Sequence, residues 1–367
     1  EEPNKAGRIY LFGKVKTGEK GGQPVYSSCC VHVDNVKRTT YLLPRERLLD
    51  VEGEETEQKV DIINHVFPEF AAIARTKGIK NHRAKPVKRS YMYHFQDPDV
   101  PPEATYLKVC YPADYPALDP ALEGRSFKRI FGATQSSLEL FLLKRDLMGP
   151  CWLKISGVEG VDAPLSWCKS EVRVCDPKRV AKMTGDKVPD SPSLTVMSLH
   201  MQTVLNEREH SNEIVMLSAL VHPEVSIEQQ TERPEHKLYS FTGVRKLEGA
   251  AWPLDVQQKF EEANKAHTHA QKSLHGNERA LLSFFLAKLH TIDPDVIVGH
   301  NFIGFDLDVL LHRMNRIKVV GWSKLGRLRR TVMPKLQANA GGMGQATWAE
   351  KQVMAGGLGC GSFFAAK

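Results

Sequence analysis

Cysteines at metal-binding or regular disulfide spacing are missing from this chain. Its seven cysteines contain no C-x-x-C pair: Cys29 and Cys30 are adjacent, Cys168 and Cys175 share one stretch, and the others are scattered. Neither a disulfide framework nor a thiolate zinc site has the spacing it needs. The reading that remains is reduced thiols, as in a cytosolic or nuclear protein. Long apolar runs are missing as well. No stretch approaches the ~20 residues that span a bilayer, so no membrane helix is expected. Aromatic residues are sparse at 8%. Neither sign of charge dominates, since 50 Lys+Arg against 43 Asp+Glu leave a net +7. That mild basicity permits a polyanionic partner without requiring one. Glu1 is preceded by no Met and followed by no basic-then-apolar leader. The start therefore reads as that of a fragment without a secretory signal.

What is present is a globular composition, 41% hydrophobic and 25% charged over 367 residues. That length accommodates two or three domains with cores of their own. Residues 7–15, 26–33 and 38–43 read as antiparallel strands, with a turn at Asp34-Asn35 and a stop at Pro44. An acidic, solvated stretch (51–58) precedes a helical pattern over 60–77 (Ile62, Ile63, Val66, Phe70, Ile73) that Pro68 must kink or split. Residues 80–95 interleave cations and rings: Lys80, His82, Arg83, Lys85, Lys88, Arg89, Tyr91, Tyr93 and Phe95. Two readings stay open for them. One is a nucleic-acid surface, with cations for phosphate and rings for stacking; the other is an amphipathic strand with one wet side. A further strand covers 106–111. Ser136-Ser137-Leu138-Glu139 is a capping box. The helix it starts is expected to stop at Gly149-Pro150, with a strand over 151–155 behind it. The polar, Pro-containing segment 185–193 reads as the main boundary.

Beyond it, strands over 194–204, 213–221 and 239–244 precede a helix over 277–290, with Asn277 as N-cap and Leu281, Leu282, Phe285, Leu286 and Leu289 on one face. His267, His269 and His275 have no acidic or Cys partner at ligand spacing and read as a solvated surface. The most informative stretch is 293–311. It holds a turn (Asp293-Pro294-Asp295), a β-branched buried strand (Val296-Ile297-Val298) and a polar corner between Gly299 and Gly304. Leu307, Leu310, Leu311 and Met314 then recur at helical spacing. Asp306 stands where loop becomes helix, beside Asn301 and Phe305. Ligands of open α/β sheets sit outside the carboxyl ends of strands, so chemistry is expected at this corner. Past it the chain is basic (Arg313, Arg316, Lys318, Lys324, Arg327, Arg329, Arg330, Lys335), as phosphate contact would need. From residue 337 it is rich in Gly and Ala and reads as irregular.

Strands in mixed order, with a helix entering beside an Asp, suggest a nuclease-type α/β domain. Metal-assisted phosphodiester hydrolysis needs clustered carboxylates, because Mg²⁺ takes oxygen ligands and two ions ~3.5–4 Å apart share acids. One strand supplies two of these as D-x-E, since side chains at i and i+2 face one side. Residues 293–311 resemble the second exonuclease motif of family B DNA polymerases, an Asn followed by Phe-Asp. The variant Gly299-His300-Asn301 is most similar to the alpha-type eukaryotic replicative branch. The resemblance continues at Phe131-Gly132, over 136–142, at Gly149-Pro150-Cys151-Trp152-Leu153, at Leu165-Ser166-Trp167-Cys168-Lys169 and over 322–330. Together these cover most of residues 7–336. The resemblance implies a fold that is α/β and α+β: a β-rich N-terminal domain with helices (1–185), a linker (186–193), an RNase H-like 3′→5′ exonuclease domain, incomplete here (194–336), and an irregular end (337–367). It also implies a nuclear parent, a DNA-directed DNA polymerase that uses Mg²⁺ and extends RNA primers as replication begins. Its partners would be DNA, the RNA–DNA primer–template, primase and an accessory subunit. Lys85, Lys88, Arg89, Lys324, Arg327, Arg329 and Arg330 are the candidate nucleic-acid contacts.

The chain departs from the family at telling positions. Where exonuclease-proficient relatives carry Asp-x-Glu, it has His200 and Gln202, and neither is a carboxylate. The expectation is a silent exonuclease fold, in which His200, Gln202, Asn301, Phe305 and Asp306 are degenerate positions and the chain holds no metal or cofactor of its own. The palm signatures Tyr-Gly-Asp-Thr-Asp and Ser-Leu-Tyr-Pro-Ser do not occur, so nucleotidyl transfer is not expected of these residues. Gly361 stands where the family has an Asp after Cys360. Two rival readings remain, an active 3′→5′ exonuclease and a stand-alone, non-catalytic nucleic-acid-binding module.

Overall fold

The computed structural model describes residues 6–186, 188–228, 238–336 and 351–361. β1 (Ile9–Lys20) and β2 (Gln23–Val33) form an antiparallel hairpin, longer than the strands expected at 7–15 and 26–33. β3 (Arg38–Pro44) stops at Pro44 as expected. β4 (Arg47–Leu49), just before the acidic stretch, pairs with β5 (Glu55–Lys59) at its end, a ladder that composition does not announce. The helical pattern over 60–77 divides where Pro68 falls. A π-helical turn, Ile62–Val66, capped by the Asp61 carboxylate, runs into α1 (Phe67–Thr76). Pro68 thereby occupies a first turn, where a missing N–H costs no helical bond.

β6 (Arg83–Ser90), β7 (Glu103–Tyr111) and β8 (Phe127–Phe131) join β3 in a sheet of order β6-β7-β3-β8. One face of it, with Leu42, Leu107, Val109, Tyr111 and Ile130, packs on Val66, Phe70 and Ala74. α2 (Ser137–Arg145) carries both bonds of the capping box. It ends at Arg145 and not at Gly149-Pro150. Asp146 adopts the left-handed conformation (φ 56°), and Leu147 folds back into the core with its N–H on the Leu142 carbonyl at 3.0 Å. A short polar side chain tolerates that conformation, so the helix stops before any Gly is needed. β9 (Leu153–Ile155) pairs with β12 (Val180–Lys182), while β10 (Glu159–Gly160) and β11 (Ser170–Val174) extend the first hairpin into the order β1-β2-β11-β10.

The second half is built on one six-stranded sheet. Its elements are β13 (Leu194–Asn206), β14 (Ser211–Val225), β15 (Tyr239–Arg245), α3 (Val256–Ala266), β16 (Ala270–His275), α4 (Glu278–Ile292), β17 (Val296–Gly299), a π-helical turn (Phe302–Asp306), α5 (Leu307–Arg316) and β18 (Leu358–Gly361). The spatial order is β16-β15-β14-β13-β17-β18. β13, β14 and β15 are antiparallel neighbours; β16 runs parallel to β15, β17 to β13 and β18 to β17. Met197, Leu199 and Met201 of β13 share a core with Leu281, Leu282 and Phe285 of α4 and Leu307, Leu310 and Leu311 of α5.

Two strands here lie outside the sequence reading. β16 has no apolar alternation, and β18 overturns part of the irregular end expected over 337–367. Residues 352–354 form a short 3₁₀ turn that buries Val353 and Met354, and β18 then pairs with β17. Backbone hydrogen bonds alone suffice to seat such an edge strand. Gly326 makes the approach possible, since a Cβ there would stand 1.9 Å from the Val353 carbonyl oxygen. Residues 337–350 and 362–367 lie outside the described residues.

Candidate functional site: a strand–turn–helix corner

Along β13, Met197, Leu199 and Met201 turn into the core, so His200 and Gln202 share the opposite face and are exposed. This is the i, i+2 geometry that two metal-binding positions would use. β17 lies alongside in parallel register, with Ser198 opposite Val298, and the turn after Gly299 therefore rises beside His200. The Asn301 carbonyl accepts the Phe305 N–H at 2.8 Å and the Asp306 N–H at 3.3 Å, which winds the π-helical turn. Phe302 is fully buried, and Phe305 packs half-buried on the same core. Asp306 thus arrives at the entrance to α5, as expected. Its carboxylate leans over Gly299, where a Cβ would meet Oδ2 at 2.9 Å and Phe302 Cβ at 3.0 Å. Only a residue without a side chain leaves that space open.

Burial pushes the Asp306 carboxyl above the usual carboxylate range; the nearby His200 and His300 imidazoles pull the other way without cancelling it. The titratable groups that act on this carboxylate are therefore imidazoles and not further acids. Two hard divalent cations would require several shared carboxylate oxygens. One carboxylate among imidazoles, with the Gln202 amide on the adjoining strand face, does not fit them. Among the described residues, no group of three or more His, Cys, Asp or Glu is arranged to hold a metal ion.

The basic stretch past α5 divides. Arg327, a candidate phosphate contact, is buried instead: its Nη2 lies 3.0 Å from Asp295 Oδ1 and 3.6 Å from Asp293, and donates to the Pro294 carbonyl. A guanidinium so enclosed is committed to its carboxylates. Asp295 is itself a hub, not the local turn residue its sequence neighbours suggest. Its carboxylate takes Lys14 Nζ at 2.6 Å and the Thr195 N–H at 2.8 Å, while its carbonyl accepts the Leu358 N–H at 3.1 Å. Arg329 is exposed but stacked, its guanidinium carbon 4.4 Å from the Trp167 ring centroid, and its Nε donates to the Ser166 carbonyl. Lys324 Nζ lies 5.0 Å from the same ring centroid. Arg330 is half-buried and donates to the Gln352 carbonyl, and burial lowers its pKa. Lys324, Arg327, Arg329 and Arg330 thus clasp chain segments together.

On β6, Lys85 and Lys88 face opposite sides of the sheet. Lys88 pairs with Glu103 at 2.5 Å and Arg89 donates to the Lys88 carbonyl, while Lys85 is exposed. His275, read as solvated, is half-buried, with Nε2 2.9 Å from Ser273 Oγ and its ring against Phe284. A buried ion network has no counterpart in the sequence reading: Arg313 and Glu278 face each other inside the layer of α4 and α5, with Glu213 and Arg245 beside them. Its one outward sign is an Arg at an apolar position of α5, three residues after Leu310.

Residues 128–358 match the family model described as DNA polymerase family B, exonuclease domain. The chain is similar to the DNA polymerase alpha catalytic subunit of Xenopus laevis, 42% identical over 362 residues, which cover 98% of this chain and 23% of that protein. The Mus musculus protein of the same name is 38% identical over 344 residues, 93% of this chain and 22% of its own length. That of Arabidopsis thaliana is 36% identical, covering 96% and 24%. The chain thus spans about a quarter of the length of the curated relatives it matches. Among solved structures, the family B DNA polymerase of the archaeon Pyrobaculum calidifontis superposes with a TM-score of 0.50 at 13% identity, over 98% of this chain and 35% of that one. Likeness at that identity concerns the fold alone.

Proposed function

The chain belongs to DNA polymerase family B, and from that premise we propose that it is the N-terminal and exonuclease-domain portion of an alpha-type catalytic subunit in which the exonuclease corner no longer cleaves DNA. The carrying observation is the company Asp306 keeps. The titratable groups acting on it are the His200 and His300 imidazoles, and Gln202 stands on the same strand face as His200. Phosphodiester hydrolysis by two metal ions rests on carboxylates shared between them, and this corner supplies one. What the chain retains is the frame: the six-stranded order, the π-helical turn and the carboxylate at the helix entrance.

The intact protein, in this reading, is a nuclear DNA-directed DNA polymerase that extends RNA primers, takes Mg²⁺ in its palm and works with primase and an accessory subunit. The names of the frog, mouse and plant relatives support the alpha assignment. The two parts described here would be divided at 186–193 and would brace the palm beside DNA and the RNA–DNA primer–template. The test is direct. Single-stranded DNA labelled at its 5′ end is incubated with the chain and Mg²⁺ or Mn²⁺, and the label is expected to stay full-length with the parent and with Asp306→Ala alike. Shortening from the 3′ end that disappears in Asp306→Ala would establish an active exonuclease and overturn the proposal.

A further inference from the structure

We propose that Thr331 is a site of phosphorylation, and that its phosphate loosens the clasp closed by Arg329 and Arg330. The segment 327–330 is pinned between residues 165–167 of the N-terminal half and residues 352–355. The Trp167 N–H donates to the Arg327 carbonyl at 2.7 Å, the Arg329 N–H to the Leu165 carbonyl at 2.9 Å, and the Arg327 N–H to the Ala355 carbonyl at 2.9 Å. Ser166 and Leu328 form an antiparallel bridge. Side chains then lock the segment, Arg329 on the Ser166 carbonyl and the Trp167 ring, and Arg330 on the Gln352 carbonyl. Past Arg330 the pairing ends. Thr331 and Val332 form an exposed bend, and residues 333–336 have no regular structure.

The clasp is built from cations that lack an anion. Among the described residues, Lys324, Arg329 and Arg330 have no carboxylate within ion-pair distance, whereas Arg327 beside them has Asp293 and Asp295. Burial lowers the His290 pKa first, and Lys169, Lys324 and Arg329 lower it further against the opposing pull of Asp293, so the corner carries a positive field. A negative group placed here would find cations already waiting. Ser323 and Thr331 are the hydroxyl residues of the stretch 321–336. Ser323 is buried and accepts the Trp167 indole N–H at 3.3 Å. Thr331 is exposed, and its hydroxyl makes no hydrogen bond among the described residues. It is the one hydroxyl of the stretch that a modifying enzyme can reach.

In the step itself Thr331 Oγ attacks the γ-phosphorus of ATP, ADP departs, and the hydroxyl proton passes to the base of the kinase. Arginines directly before the hydroxyl suit a kinase with an acidic substrate cleft. The product adds a charge of about −1.5 to −2 and three strong acceptor oxygens. Arg330 is its chain neighbour, and two residues of chain span at most ~7 Å, which puts Arg329 within reach as well. Magnitudes decide which partner Arg329 keeps. An exposed cation–π contact is worth a factor of about two to five in an equilibrium constant, less than the tenfold or more of a hydrogen bond to a charged group. Compared with a neutral carbonyl, a phosphate offers the guanidinium an opposite charge and a second parallel bond. Phosphate therefore competes for both guanidinium locks. The site shares no residue with the exonuclease corner, so either proposal stands or falls alone.

The test incubates the chain with γ-labelled ATP and the catalytic subunit of cyclic-AMP-dependent protein kinase, a kinase that selects arginine-flanked hydroxyls. Peptide mapping should place label on Thr331, and Thr331→Val, which keeps the shape of the side chain, should lose it. Hydrogen exchange then follows the Trp167 and Arg329 amides, which donate across the clasp. Phosphorylation should speed their exchange about three- to tenfold, as expected when a local opening loses a cation–π contact and the bonds beside it. Thr331→Val treated in the same way should exchange like the untreated parent. Thr331→Glu, with a single added charge, should give a smaller acceleration in the same direction. Absence of label on Thr331 would overturn the proposal. So would a phosphorylated chain whose Trp167 and Arg329 amides exchange no faster than before, or one in which the amides of α4 accelerate equally, since the whole fold and not the clasp would then have opened.

Discussion

Glu278→Gln removes one charge from the interior of the six-stranded half while keeping the shape of the side chain. Glu278 is 6% exposed and Arg313 5%. Arg313 donates to Glu278 through Nε at 2.9 Å and Nη2 at 2.5 Å, and Glu278 Oε1 also accepts the Ile214 N–H at 2.8 Å. Glu213 takes Arg245 at 2.6 Å and lies 3.6 Å from Arg313, so two cations face two anions. Burial opposes the charge on Arg313, but its hydrogen bonds to Glu278 and the nearby carboxylates outweigh burial and hold its pKa up. The Gln amide still accepts from Ile214 but leaves two cations against one anion. Removing one partner of a buried pair costs ~3–5 kcal/mol. In a unit of ~150–250 residues each kcal/mol shifts the melting point by ~2–4 °C, so a drop of ~6–20 °C is expected. Thermal scans followed by circular dichroism measure it. The paired change Glu278→Leu with Arg313→Met leaves Glu213 and Arg245 balanced and should lose less than Glu278→Gln alone. A single variant within ~1 kcal/mol of the parent, or a double variant worse than the single, would refute the account of this network.

Two further outcomes are expected. Because burial raises the Asp306 pKa in the folded chain, its ionised form destabilises the fold at neutral pH. Asp306→Asn should raise the melting temperature there, and the gain should shrink as pH falls through the raised folded value and vanish below ~3.9, the unfolded carboxylate range; a lower melting temperature at pH 7 would contradict this. Gly326→Ala would set a Cβ against the Val353 carbonyl and should cost ~1–3 kcal/mol by overpacking. Amide hydrogen exchange at residues 358–361 would accelerate as β18 loosens, and unchanged protection there would count against the close approach.

Legibility in the sequence followed the range of the forces involved. The capping box at Ser136, the Asn277 cap, the split at Pro68 and the Val296 strand depend on neighbours within a turn, and all four are seen in the fold. Asp306 and the shared face of His200 and Gln202 were legible too, because period-two alternation is local. β16 and β18 were not, since both are seated by backbone pairing without an apolar pattern. Arg327 reads like its basic neighbours, yet its burial is decided by Asp293 and Asp295, far away along the chain. Lys85 and Lys88 differ by an odd step and so fall on opposite faces. That Lys108 stands opposite both Lys85 and Tyr41 is a matter of register, which no single strand encodes.

Asp295 also sets a timetable. Its ion-pair partner Lys14 is made roughly 280 residues earlier, and at ~5–20 residues per second that gap lasts about 15 to 55 s. Throughout it the N-terminal sheets must stay folded and soluble on their own contacts. The Arg327 pair and the β18 bond come later still. A synonymous change that slowed translation before residue 295 would lengthen the exposure of an incomplete molecule without altering a single atom of the finished one.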